Sequence, residues 1–207
     1  MRRWTWALAL VVLPGCGYNR IQTLDEQANS FKSQIEVQLQ RRADLVPNLV
    51  STVQGYAAHE SGVFTAIAEA RSRLGGAVQS GDLAQMSAAN QGLTSAMGRL
   101  LAIAEAYPEL KANENFRALQ DQLEGTENRI STARQDYNNA VQEYNGYIRR
   151  FPQVLTAKVI GSATRPYFEL TSAEAREAPR VQFNAPVAAP GAAPVQPAPA
   201  APSAPPR

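Results

Sequence analysis

The 207-residue sequence is poor in the groups that usually carry chemistry. It has one cysteine, Cys16, and one histidine, His59. A single cysteine excludes an intramolecular disulfide framework and any multi-thiolate metal site. A single histidine excludes a histidine-rich zinc or iron centre. The formal charge of +2 gives no strong basic field for nucleic acid. No phosphate-binding glycine loop or nucleophile elbow occurs, and one histidine without an evident partner makes no triad. No segment sustains period-two alternation, so no sheet is expected. The longest apolar run, Trp4 to Leu13, is broken only by Thr5. As a helix it would reach about 15 Å, half of a ~30 Å hydrocarbon core.

That short run follows Arg2 and Arg3 and precedes Leu13-Pro14-Gly15-Cys16. Residues 1–15 therefore read as an export signal of the bacterial lipoprotein type. The signal peptidase needs a small residue beside the cut, and the Cys16 thiol receives a diacylglyceryl group. Pro14 departs from the usual residue at its position. No other cofactor and no metal is expected. Two or more acyl chains hold a protein on a bilayer lastingly, where one binds only marginally. Removing Arg2 and Arg3 lowers the basic residues from 20 to 18, which balances the 18 acidic ones. The mature chain then has no electrostatic attraction to nucleic acid or anionic lipid as a whole. The expected location is the bacterial cell envelope, on the periplasmic side of the outer or inner membrane in a host with two, otherwise on the cell membrane.

Residues 16–152 read as an all-α, elongated antiparallel bundle of about four helices. No proline lies between Pro47 and Pro108 or between Pro108 and Pro152, and interior proline costs a helix about 3 kcal/mol. Apolar residues recur at steps of three and four: Phe31, Ile35, Leu39, Ala43, Val46, Val50, Val53 and Ala57, then Phe64, Ile67, Ala70 and Leu74. Met86, Leu93, Met97, Leu100 and Ala104 form another stripe. The longest runs through Leu119, Leu123, Thr126, Ile130, Ala133, Tyr137, Val141, Tyr144, Ile148 and Phe151, close to a heptad seam. The expected helices are 18–42, 44–75, 82–106 and 113–151. Asp44 is a candidate cap with Pro47 in the first turn, unless Pro47 merely kinks one continuous helix. Gly75-Gly76 is read as a stop, Tyr107-Pro108 as a corner, and Asn113 or Asn115 as a cap.

Residues 153–183 read as an extension with short helices. It carries an amphipathic stretch of Val154, Leu155, Val159 and Ile160 and a capping-box spacing at Thr171 to Glu174. Two readings stand: it packs back on the bundle, or it meets a membrane or partner through Val154 to Ile160 and Phe168. Residues 184–207 hold 8 Pro and 9 Ala. Such a tail cannot bury a core and reads as a disordered spacer or polyproline ligand.

Two groups of polar residues stand out. Asp44, Asn48, Ser51, Gly55 and His59 follow steps of four, three, four and four, and read as one helical face opposite Leu45, Leu49, Val53 and Tyr56. This is the candidate partner-docking face; the alternative is a polar surface with internal helix contacts. Tyr137-Asn138 recurs as Tyr144-Asn145, which puts both rings on the seam and both amides beside it. Amides near a seam fix register. Glu124, Glu127, Arg129, Arg134 and Asp136 read as salt-bridged solvent faces and interhelical pairs, since a di-iron bundle asks for Glu-x-x-His on two helices.

Several longer motifs resemble the LemA family. They are Arg41 to Val50 with Val53, Gly55-Tyr56-Ala57 and His59-Glu60; Tyr107 to Phe116; Leu123 to Ile130; Ala133 to Asn138; and Tyr144-Asn145. Phe151-Pro152, Arg165 to Phe168, Ala178-Pro179, Val181 and Phe183 complete the match, over roughly residues 17 to 183. The resemblance implies an all-helical, elongated, membrane-held envelope protein without catalytic residues. Many members look anchored by a transmembrane helix, and the lipoprotein-type start departs from that. The expected role is a non-enzymatic scaffold or adaptor that binds unidentified envelope proteins through its long helices. The alternative is a carrier of an apolar ligand within the bundle.

Overall fold

The computed structural model describes residues 15–169, with side chains from residue 17. The stretch read as an export signal, up to residue 14, the capping-box spacing at Thr171 and the Pro/Ala-rich residues lie outside the described residues. Six helices occur among the described ones: α1 (Gly15–Gln54), α2 (Ser61–Ser80), α3 (Leu83–Glu105), α4 (Pro108–Ala112), α5 (Glu114–Ile148) and α6 (Gln153–Val159). No strand occurs among them. At 1.5 Å per residue α1 is about 60 Å long and α5 about 52 Å. These two form the principal packed pair. The hairpin of α2 and α3 covers one half of α1, and its tip, Gly81, lies beside the Lys32 ammonium.

The apolar stripes are buried as their spacing requires. Ile35, Leu39, Leu49 and Val53 of α1, Ile67 and Leu74 of α2, Met86, Leu93 and Leu100 of α3, and Ile130 and Val141 of α5 share one core. Each such side chain contributes roughly 1.5–3 kcal/mol by leaving water. A smaller core joins the first and last of the described helices: Ile21 and Leu24 of α1, Tyr144 and Ile148 of α5, and Ala157 of α6. Phe151, expected at the end of the α5 seam, is instead 80% exposed, because α5 stops at Ile148.

Local chemistry sets several boundaries where the sequence puts them. Asp82 caps α3 by accepting from the Ala84 and Gln85 amides at 2.8 and 3.1 Å. Those two bonds also hold its carboxyl below the usual carboxylate range, the Gln85 amide most strongly. Asn113 caps α5 through the Phe116 amide at 3.1 Å. Pro108 opens α4, where its missing N–H is harmless.

Two expected boundaries are wrong. No break falls at residues 42–44, so Asp44 caps nothing and Pro47 lies inside α1, as the continuous-helix alternative has it; the expected helix 44–75 is broken instead between Gln54 and Ser61. Pro47 cannot donate to the carbonyl of residue 43. The Arg71 guanidinium of α2 donates to that oxygen instead, Nε to Ala43 O at 2.8 Å. A tertiary contact thus fills the gap that proline leaves, and the helix continues to Gln54. The second correction concerns Gly75-Gly76, which α2 passes through. Leu74 and Ala77 on either side are buried, and that packing outweighs the roughly 1 kcal/mol each glycine costs. The helix ends at Gly81, whose φ of 66° suits glycine.

Candidate functional site

The residues proposed as one docking face are divided by the end of α1. Asp44, Asn48 and Ser51 are exposed on one side of the helix. Gly55 and His59 follow its last residue and lie in the turn to α2, so they do not continue that face. Gly55 is therefore not a mid-helix glycine. Of the opposite stripe, Leu49 and Val53 are buried, whereas Tyr56 is exposed and its hydroxyl accepts from the Asn113 amide at 3.1 Å.

The exposed face runs the other way along α1. Glu26, Ser30, Ser33, Val37, Gln40, Asp44, Asn48 and Ser51 are all exposed and follow steps of four, three, four, three, four, four and three. Val37 is 61% exposed in the middle of this stripe. The groove over its first part, about 460 Å³, is lined by α1 residues alone, from Glu26 to Gln38.

The Tyr-Asn repeats of α5 do something their spacing alone does not announce. Residues 162–169 return along α5 as an extended strap. The Asn138 side chain donates to Phe168 O at 3.1 Å and accepts from Phe168 N at 2.8 Å. Asn145 does the same with Arg165, at 2.9 and 2.8 Å. Each amide therefore acts as a strand partner for one residue of the strap. The Tyr137 hydroxyl donates to Pro166 O at 2.9 Å, and burial pushes that phenol up from its usual range against the opposing Arg165 charge. Phe168 enters the main core, 5% exposed. Its extension packs back on the bundle, and the contact read for Phe168 with a membrane or partner is excluded by that burial.

Charged groups fasten both ends of the strap. Arg165 donates through Nε to Asp25 Oδ1 at 2.7 Å and lies 5.7 Å from the Tyr144 ring centre. The Asp25 hydrogen bond raises the guanidinium above its ordinary range, partly offset by burial. At the other end the Ser87 hydroxyl of α3 donates to Glu169 O at 2.9 Å, and Arg134 stacks over the Phe168 ring at 4.7 Å.

Beneath that end lies a polar cluster, of which the sequence reading missed Arg42 and Asn90. Arg42 of α1 is 6% exposed and donates to Asn90 Oδ1 of α3 at 2.7 Å and to the Glu127 carboxylate of α5. Burial lowers the proton affinity of both Arg42 and Arg134, and Glu127 opposes this in each. Arginine keeps its proton even so. Glu127 and Arg134 thus belong to an interhelical cluster, as the interhelical half of the sequence reading has it, with Glu127 still partly solvated. Arg42 sits one residue before the apolar Ala43, and nothing local marks it as buried. Among the described residues, no group of three or more His, Cys, Asp or Glu is placed as metal ligands would be.

Comparison with known proteins accounts for these motifs. The family model for the LemA family matches residues 31–183. The chain is 30% identical to the magnetosome proteins MamQ 1 and MamQ 2 of Paramagnetospirillum magneticum, over 73% of its own length and 64% of theirs. It is 28% identical to the magnetosome protein MamQ of Magnetospirillum gryphiswaldense, with the same coverage. It therefore spans just under two thirds of the curated relatives it matches. The matched region holds the Arg42 cluster, the paired amides of α5 and the strap they bind, and on that match the chain belongs to the LemA family.

Proposed function

We propose that this protein is a non-enzymatic scaffold or adaptor of the bacterial envelope, anchored to a membrane and binding partner proteins through α1. The observation that carries this reading is the exposed stripe from Glu26 to Ser51. It extends over about 25 residues of helix, or roughly 38 Å. It is built of serine and amide side chains and two carboxylates, Glu26 and Asp44, around one exposed valine, a polar face with one apolar contact for a partner helix.

The anchor in this proposal is a diacylglyceryl group on Cys16. No helix among the described residues is long and apolar enough to cross a membrane. The apolar run before Cys16 is short, and the cysteine falls where the lipoprotein pattern needs it. Replacing Cys16 with serine should abolish incorporation of labelled fatty acid. Incorporation that persists in Cys16→Ser would refute lipidation at this residue.

An apolar cargo has less support. The grooves described on the bundle are lined mainly by charged and amide side chains, such as Arg20, Asn139, Gln142, Glu143 and Arg150 in one of about 430 Å³. The adaptor reading is tested by crosslinking and affinity capture from membranes, with wild type set against Val37→Arg/Asn48→Arg. A defined envelope protein should be captured by wild type and lost in the variant. Equal capture by both would remove the docking surface from α1.

A further inference from the structure

The end of the bundle where α1 begins carries a surface of unusual composition. α6 packs through Thr156 and Ala157, both buried. Its other side is apolar and open: Leu155 is 55% exposed and Val159 84%. Phe151, just before α6, is 80% exposed. Successive helical residues turn by about 100°, so Leu155 and Val159 stand about 40° apart and Lys158 about 60° to one side. Arg149 and Arg150 are exposed immediately ahead of Phe151. Three large apolar groups flanked by three cations form the pattern of a segment lying in a membrane interface, where apolar side chains enter the acyl boundary and cations meet phosphate.

The position of this surface identifies its occupant. Gly17 lies at the start of α1 against α6: a Cβ there would be 3.3 Å from Gln153 Cγ. The apolar sequence Trp4 to Leu13 and Cys16 lead directly into that point. A bilayer holding the chain before α1, by acyl chains or by the apolar run itself, therefore lies beside α6. Seven residues bind a membrane poorly alone, but a tether at the adjoining start of α1 makes the second contact intramolecular. We infer that Phe151, Leu155 and Val159 rest in the headgroup boundary of an anionic bilayer, with Arg149, Arg150 and Lys158 on lipid phosphates, and so fix how the bundle stands on its membrane. The inference rests on the membrane anchoring proposed above.

Photocrosslinking of the full chain in its native membranes tests it. Benzoylphenylalanine is placed at Leu155, at Val159, or at Glu109, which is exposed at the opposite end of α5, about 50 Å away by helix length. Irradiation should give lipid adducts by mass spectrometry from the first two positions and none from Glu109. Adding Arg149→Glu/Arg150→Glu/Lys158→Glu should reduce the adduct from Leu155 several-fold while the chain still sediments with membranes. A covalent dimer at Leu155 would overturn the inference in favour of a second copy, and an adduct to another protein in favour of that protein. A membrane-bound chain without lipid adducts overturns the seat alone. A chain recovered in the soluble fraction overturns the anchor and the seat together.

Discussion

Asn138 and Asn145 stand one heptad apart on α5 and hold two strap residues, Phe168 and Arg165, by the same pair of backbone hydrogen bonds. Seven helical residues rise about 10.5 Å. Three extended residues span about 10 Å. The helix repeat and the strand repeat therefore coincide, and the strap runs antiparallel to α5 with each amide in register.

Loss of either amide leaves a part-buried N–H and C=O without partners. Asn145→Ala is expected to lower unfolding stability by about 1–3 kcal/mol. The double variant with Asn138→Ala should lose less than the sum of the two, because releasing one clamp already frees the strap. Urea denaturation measures both quantities, and amide exchange at Arg165 and Phe168 should speed up in each variant. Full additivity would show that the two clamps hold independent segments.

Arg71 and Pro47 should be coupled through the Ala43 carbonyl. Arg71→Met removes the donor and is expected to cost about 1 kcal/mol. Pro47→Ala restores a backbone N–H at the right place, so it should relieve most of that loss in the Arg71→Met background. A thermodynamic cycle by chemical denaturation gives the coupling. No coupling would mean that water serves the carbonyl as well as Arg71 does.

Tyr137 makes the strap sensitive to alkali. Burial raises its folded pKa above the unfolded value of about 10, so the folded chain holds this proton more tightly. Its contribution is present below pH 10 and falls as pH rises from there through the folded pKa. The phenolate also loses the hydrogen bond to Pro166. Tyr137→Phe should be less stable than wild type near neutral pH and show a flatter decline above pH 10. Parallel declines in the two proteins would exclude Tyr137 as the cause.

Arg42 should be among the most sensitive charged positions. Arg42→Ala strands Glu127 and Asn90 and is expected to cost about 3 kcal/mol, toward the lower end for a broken buried pair because Glu127 is partly solvated. Arg42→Met combined with Glu127→Gln should cost less than Arg42→Ala alone, since it removes both members of the Arg42–Glu127 pair and strands neither; its remaining cost is Arg134 without the nearby carboxylate. Thermal or urea unfolding of the three proteins decides this.

The sequence by itself determined the helical class, most of the core, and the starts of α3 and α5. Those features are local: side chains three and four residues apart share a face, and Asp82 and Asn113 cap the amides that follow them. The tertiary structure alone decided that α1 passes Pro47, that α2 passes Gly75-Gly76, that Arg42 is buried, and that the Tyr-Asn repeats bind a strap. The reason is common to all four. The compensating group comes from a distant segment: Arg71 for Ala43, the packed neighbours of Leu74 and Ala77, Asn90 and Glu127 for Arg42, and residues 165–168 for the α5 amides. A contact between distant segments leaves no period in the sequence, so the step pattern of the expected helix 44–75 runs on through Gly55 and His59, where the chain turns away after Gln54.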